Sequence, residues 1–339
     1  TTVISFSDVL GNHRLIGQTS LQIDLKNSDY GLAYYYLPNR LDLGFEAFHT
    51  ARFVYLERQG QLLNLFRFRN YGVATSFSFP INRYYRFDGG LSLLNVSSEN
   101  LDEPFEATQR RSFLIPSFSF VHDNTIFGYT APIEGTRYRY EVFGNALSLN
   151  EHSFFSLLGD YRTYLRFWGD YSVALRLSGG YSEGKSPQRF FLGGLENWIN
   201  RKFATGEIPV ESPADFAFLT GALPLRGYNY AEKIGTRYTL FNFEYRFPLI
   251  RYLLTGAIPI LFRNVQGVAF FDAGAAWNKE KNLQLFTKND AGNTVTKDLL
   301  MGTGLGARMY FLYFLTRFDV AWAYNGNKFS EPRFYFSLG

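Results

Sequence analysis

The chain has 339 residues, a net charge of +4, 46% hydrophobic and 19% aromatic residues, including 36 Phe and 24 Tyr. The absence of cysteine excludes disulfides and zinc–thiolate sites, and basic residues spread along the chain argue against a nucleic-acid footprint. No apolar run reaches the roughly 18 residues of a spanning helix, and the longest, around 253–262, is broken by Thr255, Gly256 and Pro259.

Alternation with period two runs through nearly the whole chain and predicts strands. In chain order they fall near 13–25, 29–38, 41–55, 62–79, 82–97, 109–122, 135–149, 154–168, 170–181 and 187–194. After a long segment come 235–248, 263–277, 299–312, 315–325 and 331–338. Fifteen strands are an odd number, bacterial membrane barrels prefer an even one, and 62–79 is long enough to contain two, which predicts about sixteen. In 241–247, Phe241, Phe243, Tyr245 and Phe247 share one face, opposite Asn242, Glu244 and Arg246. In 172–178, Val173, Leu175 and Leu177 oppose Ser172, Ala174, Arg176 and Ser178. A soluble sandwich could carry such a polar face, but the other face is bulky in nearly every strand and no helical periodicity offers a cover. A barrel needs only a polar lumen and an apolar outside. The mean hydropathy of −0.15 fits, since only every second residue of a barrel strand meets lipid. The expected fold is all-β, a transmembrane antiparallel β-barrel forming a single domain over 1–339. Turns are expected at Lys26–Asp29 and Gly169-Asp170, and longer polar loops at 97–106, 197–215 and 278–297.

Most candidate motifs read as structural. His13, His49, His122 and His152 stand at no metal-ligand spacing. Gly302-Thr303-Gly304-Leu305-Gly306 has the glycines of a dinucleotide loop, but that motif needs a helix after it. Here a strand follows, and strand glycines mark bends or close approach. The acidic residues Glu99, Asp102, Glu103 and Glu106 lack calcium-loop spacing and read as a solvated loop. No Gly-x-Ser-x-Gly elbow is present. No metal, cofactor or catalytic set is expected.

The informative constellation is Leu225-Arg226-Gly227-Tyr228, upstream of Glu244 and Asp272. Glu244 lies opposite an aromatic face and should point inward. The face of Asp272 is ambiguous, because Val268 and Phe270 share it while Ala269 and Phe271 share the other. A charge on the lipid side costs about 2–4 kcal/mol near the midplane, so both carboxylates should face the lumen and need a cation. The planar fork of arginine suits two carboxylates at once.

These residues carry a family resemblance. Phe190–Gly194, Leu225–Tyr228, Asn242-Phe243-Glu244 with Pro248, Phe271–Gly274, Gly304–Gly306 and the last strand, followed by Gly339, resemble the BamA/TamA outer-membrane assembly superfamily. The motifs cover about 190–339; over 1–189 only the strand pattern is similar. The resemblance implies a 16-stranded barrel whose sixth extracellular loop folds into the lumen and is latched by Arg226, Gly227 and Tyr228 against Glu244 and Asp272. The chain departs from the family pattern at Thr220, Pro224 and Leu225, and about thirty residues separate Gly194 from Arg226. It also lacks POTRA-type αβ domains and a terminal aromatic residue. Such departures indicate a divergent branch, similar also to barrels fused to a TolB-like propeller. Residues 1–11 do not read as a signal peptide, so export implies one removed or lying upstream of another domain.

The resemblance implies insertion, assembly or translocation of proteins at the outer membrane of a Gram-negative bacterium, through a seam between the first and last strands, here 13–25 and 331–338. The implied partners are outer-membrane lipids and lipopolysaccharide, client outer-membrane proteins and periplasmic accessory proteins. The alternative is an occluded pore, or a membrane anchor for a periplasmic or surface partner. Some barrels of the superfamily are fused to lipases, but this chain shows no catalytic set, and an enzyme is not expected.

Overall fold

The computed structural model describes residues 2–20, 26–58, 61–103, 105, 107–145, 153–204, 224–254, 261–280, 282–289, 291–311 and 313–338. They contain twenty strands and no helix. These are β1 (Thr2–Ser7), β2 (His13–Ser20), β3 (Asp29–Tyr36), β4 (Asp42–Arg58), β5 (Gln61–Pro80), β6 (Tyr85–Asn100) and β7 (Gln109–Asp123). Then come β8 (Ile126–Phe127), β9 (Pro132–Asn145), β10 (Phe154–Trp168), β11 (Tyr171–Gly184), β12 (Phe190–Leu192) and β13 (Lys233–Gly235). The chain ends with β14 (Arg237–Leu254), β15 (Leu261–Trp277), β16 (Phe286–Lys288), β17 (Thr294–Thr296), β18 (Leu299–Phe311), β19 (Phe314–Tyr324) and β20 (Arg333–Leu338).

One 16-stranded sheet dominates. Fifteen strands follow in the order β1-β2-β3-β4-β5-β6-β7-β9-β10-β11-β14-β15-β18-β19-β20, and the short β8 pairs with β9 beside this path. Each neighbouring pair is antiparallel, as the hairpin connections require. The sheet is rolled, because residues far apart along it touch across its concave side. Arg246 of β14 donates to the Pro132 carbonyl of β9 (2.8 Å), Thr130 bonds Gln266 of β15 (2.8 Å), and the Tyr129 and Tyr310 rings lie 5.3 Å apart.

The two faces differ as the alternation demands. Leu157, Tyr161, Leu165, Leu177 and Phe241 stand on the outside, exposed. Aromatic rings stack around the outer wall near the short-turn end: Tyr85 and Tyr138 flank His122 at 4.3 and 4.9 Å, and Tyr245 meets Phe167 and Phe247. Such girdles belong at a membrane interface. Ser156, Ser178, Ser119, Asp272 and Asp319 are buried on the inside. The long connections leave the wall after Gly184 and Trp277 at one end of the barrel, and the short ones, 8–12, 37–41 and 169–170, lie at the other.

Three sequence expectations are corrected. The stretch 62–79 is not two strands, because β5 runs unbroken and pairs in continuous register with β6 from Phe66↔Asn100 to Pro80↔Arg86. The strand that reading missed is β1, in a segment whose residues are exposed on both faces and show no clean alternation. The run 187–194 is not in the wall: its β12 pairs with β13 inside the loop. Among the described residues the first wall strand is therefore β1, not 13–25.

Candidate functional site

The described parts of the segment between β11 and β14, 185–204 and 224–236, enter the barrel and form a small core of their own. β12 pairs with β13, and Gly194 and Leu225 exchange backbone hydrogen bonds of 3.1 and 3.0 Å. This brings Phe190, Leu192, Leu225 and Tyr228 against Tyr238, Leu240, Ala276 and Leu300 of the wall. Phe191, Trp198 and Tyr230 pack on Val268, Phe270, Ala321 and Tyr335. Fully burying one Leu or Phe side chain stabilises by about 1.5–3 kcal/mol. That is why a loop with these residues docks on wall positions that are apolar where a water-filled lumen would want polar ones.

Arg226 sits at the centre of this docked loop, 3% exposed. Its backbone N–H donates to Asp272 Oδ2 (3.0 Å), Nε donates to the same oxygen (2.7 Å), and Nη2 donates to Oδ1 (2.8 Å). Nη1 donates to Glu244 Oε1 (2.8 Å). The guanidinium carbon lies 3.5 Å from the centre of the Phe270 ring, so the fork is held in its plane by carboxylates and on its face by a π-system. Burial alone would favour the neutral guanidine. Asp272 and Glu244 outweigh it and keep Arg226 protonated, above the ordinary guanidinium value.

The wall holds both acids in place. Asn242 is opposite Asp272 in the β14–β15 register, and Glu244 is opposite Phe270. Asn242 Nδ2 donates to Asp272 Oδ1 (2.8 Å) and to the Pro224 carbonyl (3.0 Å). Arg246 Nε and Nη2 donate to Glu244 Oε2 (3.0 and 2.8 Å). The next two loop residues are tied as closely. Gly227 N–H donates to Tyr335 Oη (2.8 Å), and the same phenol donates to the Tyr228 carbonyl (2.8 Å). Tyr228 Oη donates to the Met301 carbonyl (3.0 Å) and accepts from its N–H (3.1 Å). Burial holds the Tyr228 phenol above its usual range.

Two glycines make the approach possible. Gly227 has φ +98°, a conformation that suits glycine, and a Cβ there would come within 3.0 Å of the Trp322–Ala323 backbone. Gly302 faces the loop, and a Cβ there would lie 1.8 Å from the Arg226 carbonyl oxygen. The glycine run in β18 is thus a site of close approach, with Gly304 against Phe270 and Gly306 against Asp319.

The structure brings Arg226, Gly227, Tyr228, Glu244 and Asp272 together. It adds Asn242, Arg246, Phe270, Gly302 and Tyr335, to which the sequence reading gave no part in the latch. Asn242 was available, since it shares the inward face with Glu244; Tyr335 was not, because only tertiary packing carries the last strand to the loop. Beyond Glu244 the lumen holds a cavity of about 510 Å³ lined by Arg162, Arg176, Arg246, Arg308, Arg317 and Asp319. Among the described residues no group of three or more His, Asp or Glu side chains could hold a metal ion. His152 and Glu106 lie outside the described residues.

Several known structures share the architecture. BamA from Haemophilus ducreyi lacking POTRA domains 1–3 superposes with a TM-score of 0.64 at 15% identity, over 99% of this chain and 66% of that one. CdiB from Acinetobacter baumannii gives 0.54 at 14% identity, over 99% and 55%, and CdiB from Escherichia coli 0.58 at 11%, over 99% and 58%. The chain thus spans little more than half to two-thirds of the length of these structures. No curated protein sequence matches. A rolled antiparallel wall and a loop docked inside it agree with the match of residues 15–339 to the Omp85 superfamily domain, and the chain belongs to that superfamily.

Proposed function

We propose that the protein inserts or translocates other proteins at the outer membrane of a Gram-negative bacterium, through a seam between the first and last strands of its barrel, with Arg226 latching the loop in the lumen. It acts within outer-membrane lipid and lipopolysaccharide, on client outer-membrane proteins delivered by periplasmic accessory proteins. Arg226 has a holding role, because its backbone N–H, Nε, Nη1 and Nη2 each donate to a wall carboxylate.

The observation that supports this reading is the latched lumen: the loop core packs behind wall strands from β14 to β20 and keeps that part of the wall, including the last strand, in shape. A general diffusion pore fits less well, since the docked loop occupies lumen space along β14–β20.

The test is insertion of a client barrel into vesicles carrying the full-length protein. Single cysteines in the first wall strand of the full-length protein and in β20, joined by a cleavable bismaleimide, should abolish insertion, and cleaving the linker should restore it. Normal insertion with the linker intact would exclude lateral opening. Large steady conductance of the wild-type protein in planar bilayers would favour the pore alternative.

A further inference from the structure

The outer face of β4–β7 changes character row by row. Midway along these strands it presents Ala47, Val73, Leu93 and Leu114, each opposite the next across neighbouring strands, with Val73 and Leu93 exposed. Two residues closer to the long-loop end the row is His49, Tyr71, Asn95 and Ser112, and two closer again it is Ala51, Arg69, Ser97 and Arg110. Arg67 and Glu99 form the next pair. At about 3.3 Å per residue and a strand tilt of about 40°, Arg69 stands about 10 Å beyond the last aliphatic row. At that height an apolar band gives way to lipid headgroups.

The cations of this patch are only partly spent. Arg67 is buried; its Nη1 donates to Asn27 Oδ1 (2.8 Å) and its Nη2 to Glu99 Oε2 (2.6 Å). Lys26 Nζ lies 3.6 Å from the same carboxylate oxygen. The carboxylates beyond, Asp102 and Glu103, accept from the Leu65 N–H and from Asn64. Arg69 and Arg110 have no hydrogen-bond or ion-pair partner among the described residues. They flank Ser97 on its two neighbouring strands. The Ser97 hydroxyl, Arg67 Nε and Arg69 Nε are closed off and unpaired, although buried polar groups are ordinarily hydrogen-bonded. Three orphan polar atoms on one patch of the outer wall want a partner that the chain does not supply.

From this we infer that Arg69, Ser97 and Arg110 bind the phosphate of a lipid headgroup in the leaflet at the long-loop end, with Arg67 and Lys26 adding charge beside them. Four cations stand against one carboxylate, Glu99. Arginine grips phosphate through two parallel N–H bonds, and a phosphate offers three strong acceptor oxygens. The backbones of Arg69 and Arg110 are two strand spacings apart, about 10 Å, so one phosphate fits between the two guanidinium groups, over the Ser97 hydroxyl. A free anion would meet the same groups, but only a lipid also lays acyl chains on the Val73–Leu93–Leu114 row. Outer-membrane barrels carry their longer loops outside, which makes this an outer-leaflet lipid. That last step rests on the outer-membrane reading given above; the site is independent of the insertion activity.

The test uses the full-length protein in dodecylmaltoside micelles, with bound lipid counted by native mass spectrometry. The probes are bisphosphorylated lipid A, the same lipid with both phosphates removed, and inorganic phosphate. Wild type should bind the bisphosphorylated lipid at least tenfold more tightly than the dephosphorylated one, the scale of one charge-assisted hydrogen bond. Arg69→Gln with Arg110→Gln should remove most of that preference. Arg14→Gln with Arg83→Gln, the same loss of charge from exposed positions at the short-turn end, should keep it. Heat-modifiable gel mobility checks that each variant is folded, and the comparison of the two lipids on wild type needs no variant. Equal binding of the two lipids, or the same loss in both double variants, overturns the site. Equal binding of the lipids together with retention of inorganic phosphate by wild type, lost in Arg69→Gln with Arg110→Gln, would assign the patch to a free anion and overturn the lipid. These readouts need no client, so loss of lipid binding leaves the insertion reading standing, and failure of insertion leaves this site standing.

Discussion

Replacing Arg226 by alanine removes the side chain on which the docked loop turns, and its cost can be worked from the contacts. Asp272 is fully buried and accepts four hydrogen bonds: three from Arg226, one of them through its backbone N–H, and one from Asn242. Arg226→Ala takes away two of the four together with the only adjacent positive charge, while Glu244 keeps Arg246. Breaking a buried pair from one side costs about 3–5 kcal/mol. The donors Asp272 retains place the expectation at the lower end, about 3 kcal/mol, and at about 1.4 kcal/mol per factor of ten the undocked loop should become roughly a hundredfold more populated. Native-state proteolysis reads this directly, because Tyr228 and Tyr230 are buried and chymotrypsin reaches them only after undocking. Adding Asp272→Asn to Arg226→Ala should recover part of the loss, since the stranded charge is gone. Cleavage of Arg226→Ala at the wild-type rate, or no recovery in the double variant, would refute the account.

Other consequences are open to the same kind of measurement. Tyr335→Phe removes the hydroxyl shared by Gly227 and Tyr228 and leaves a buried N–H and carbonyl unpaired; at about 1–3 kcal/mol for such groups, loop protection should fall by roughly tenfold or more, with the wall intact by heat-modifiable gel mobility. Gly302→Ala drives a methyl into the Arg226 carbonyl and should undock the loop as fully as Arg226→Ala, whereas Gly17→Ala, with nothing within 4 Å, should leave protease protection unchanged. Leu177→Arg, on the outer face, should lower unfolding stability in vesicles by up to about 2–4 kcal/mol, according to its depth. A negligible effect would mean that this face does not meet lipid.

Much of the wall was legible because one rule, alternation with an apolar outside, acts on every strand separately. It failed where the environment breaks the rule. β1 is exposed on both faces and left no signature, and 187–194 looked like a wall strand because it is apolar, although its apolar side chains serve the loop core. Asp272 was ambiguous for the same reason: Val268 and Phe270 share its inward face because the loop lies over them, so that part of the lumen is dry. Arg226 and its two acids were legible as charges with no place on the lipid side. Tyr335 and the glycines that admit the loop depend on which strands end up beside it, and spacing along the chain carries none of that.

The docked loop stiffens the cylinder unevenly. Among the described residues its two apolar clusters engage wall strands from β14 to β20 and none of β1–β5. A lateral load on the cylinder is therefore taken up first in the unbacked N-terminal half. Any deformation is smallest beside Tyr335, where the loop acts as an anvil behind the wall.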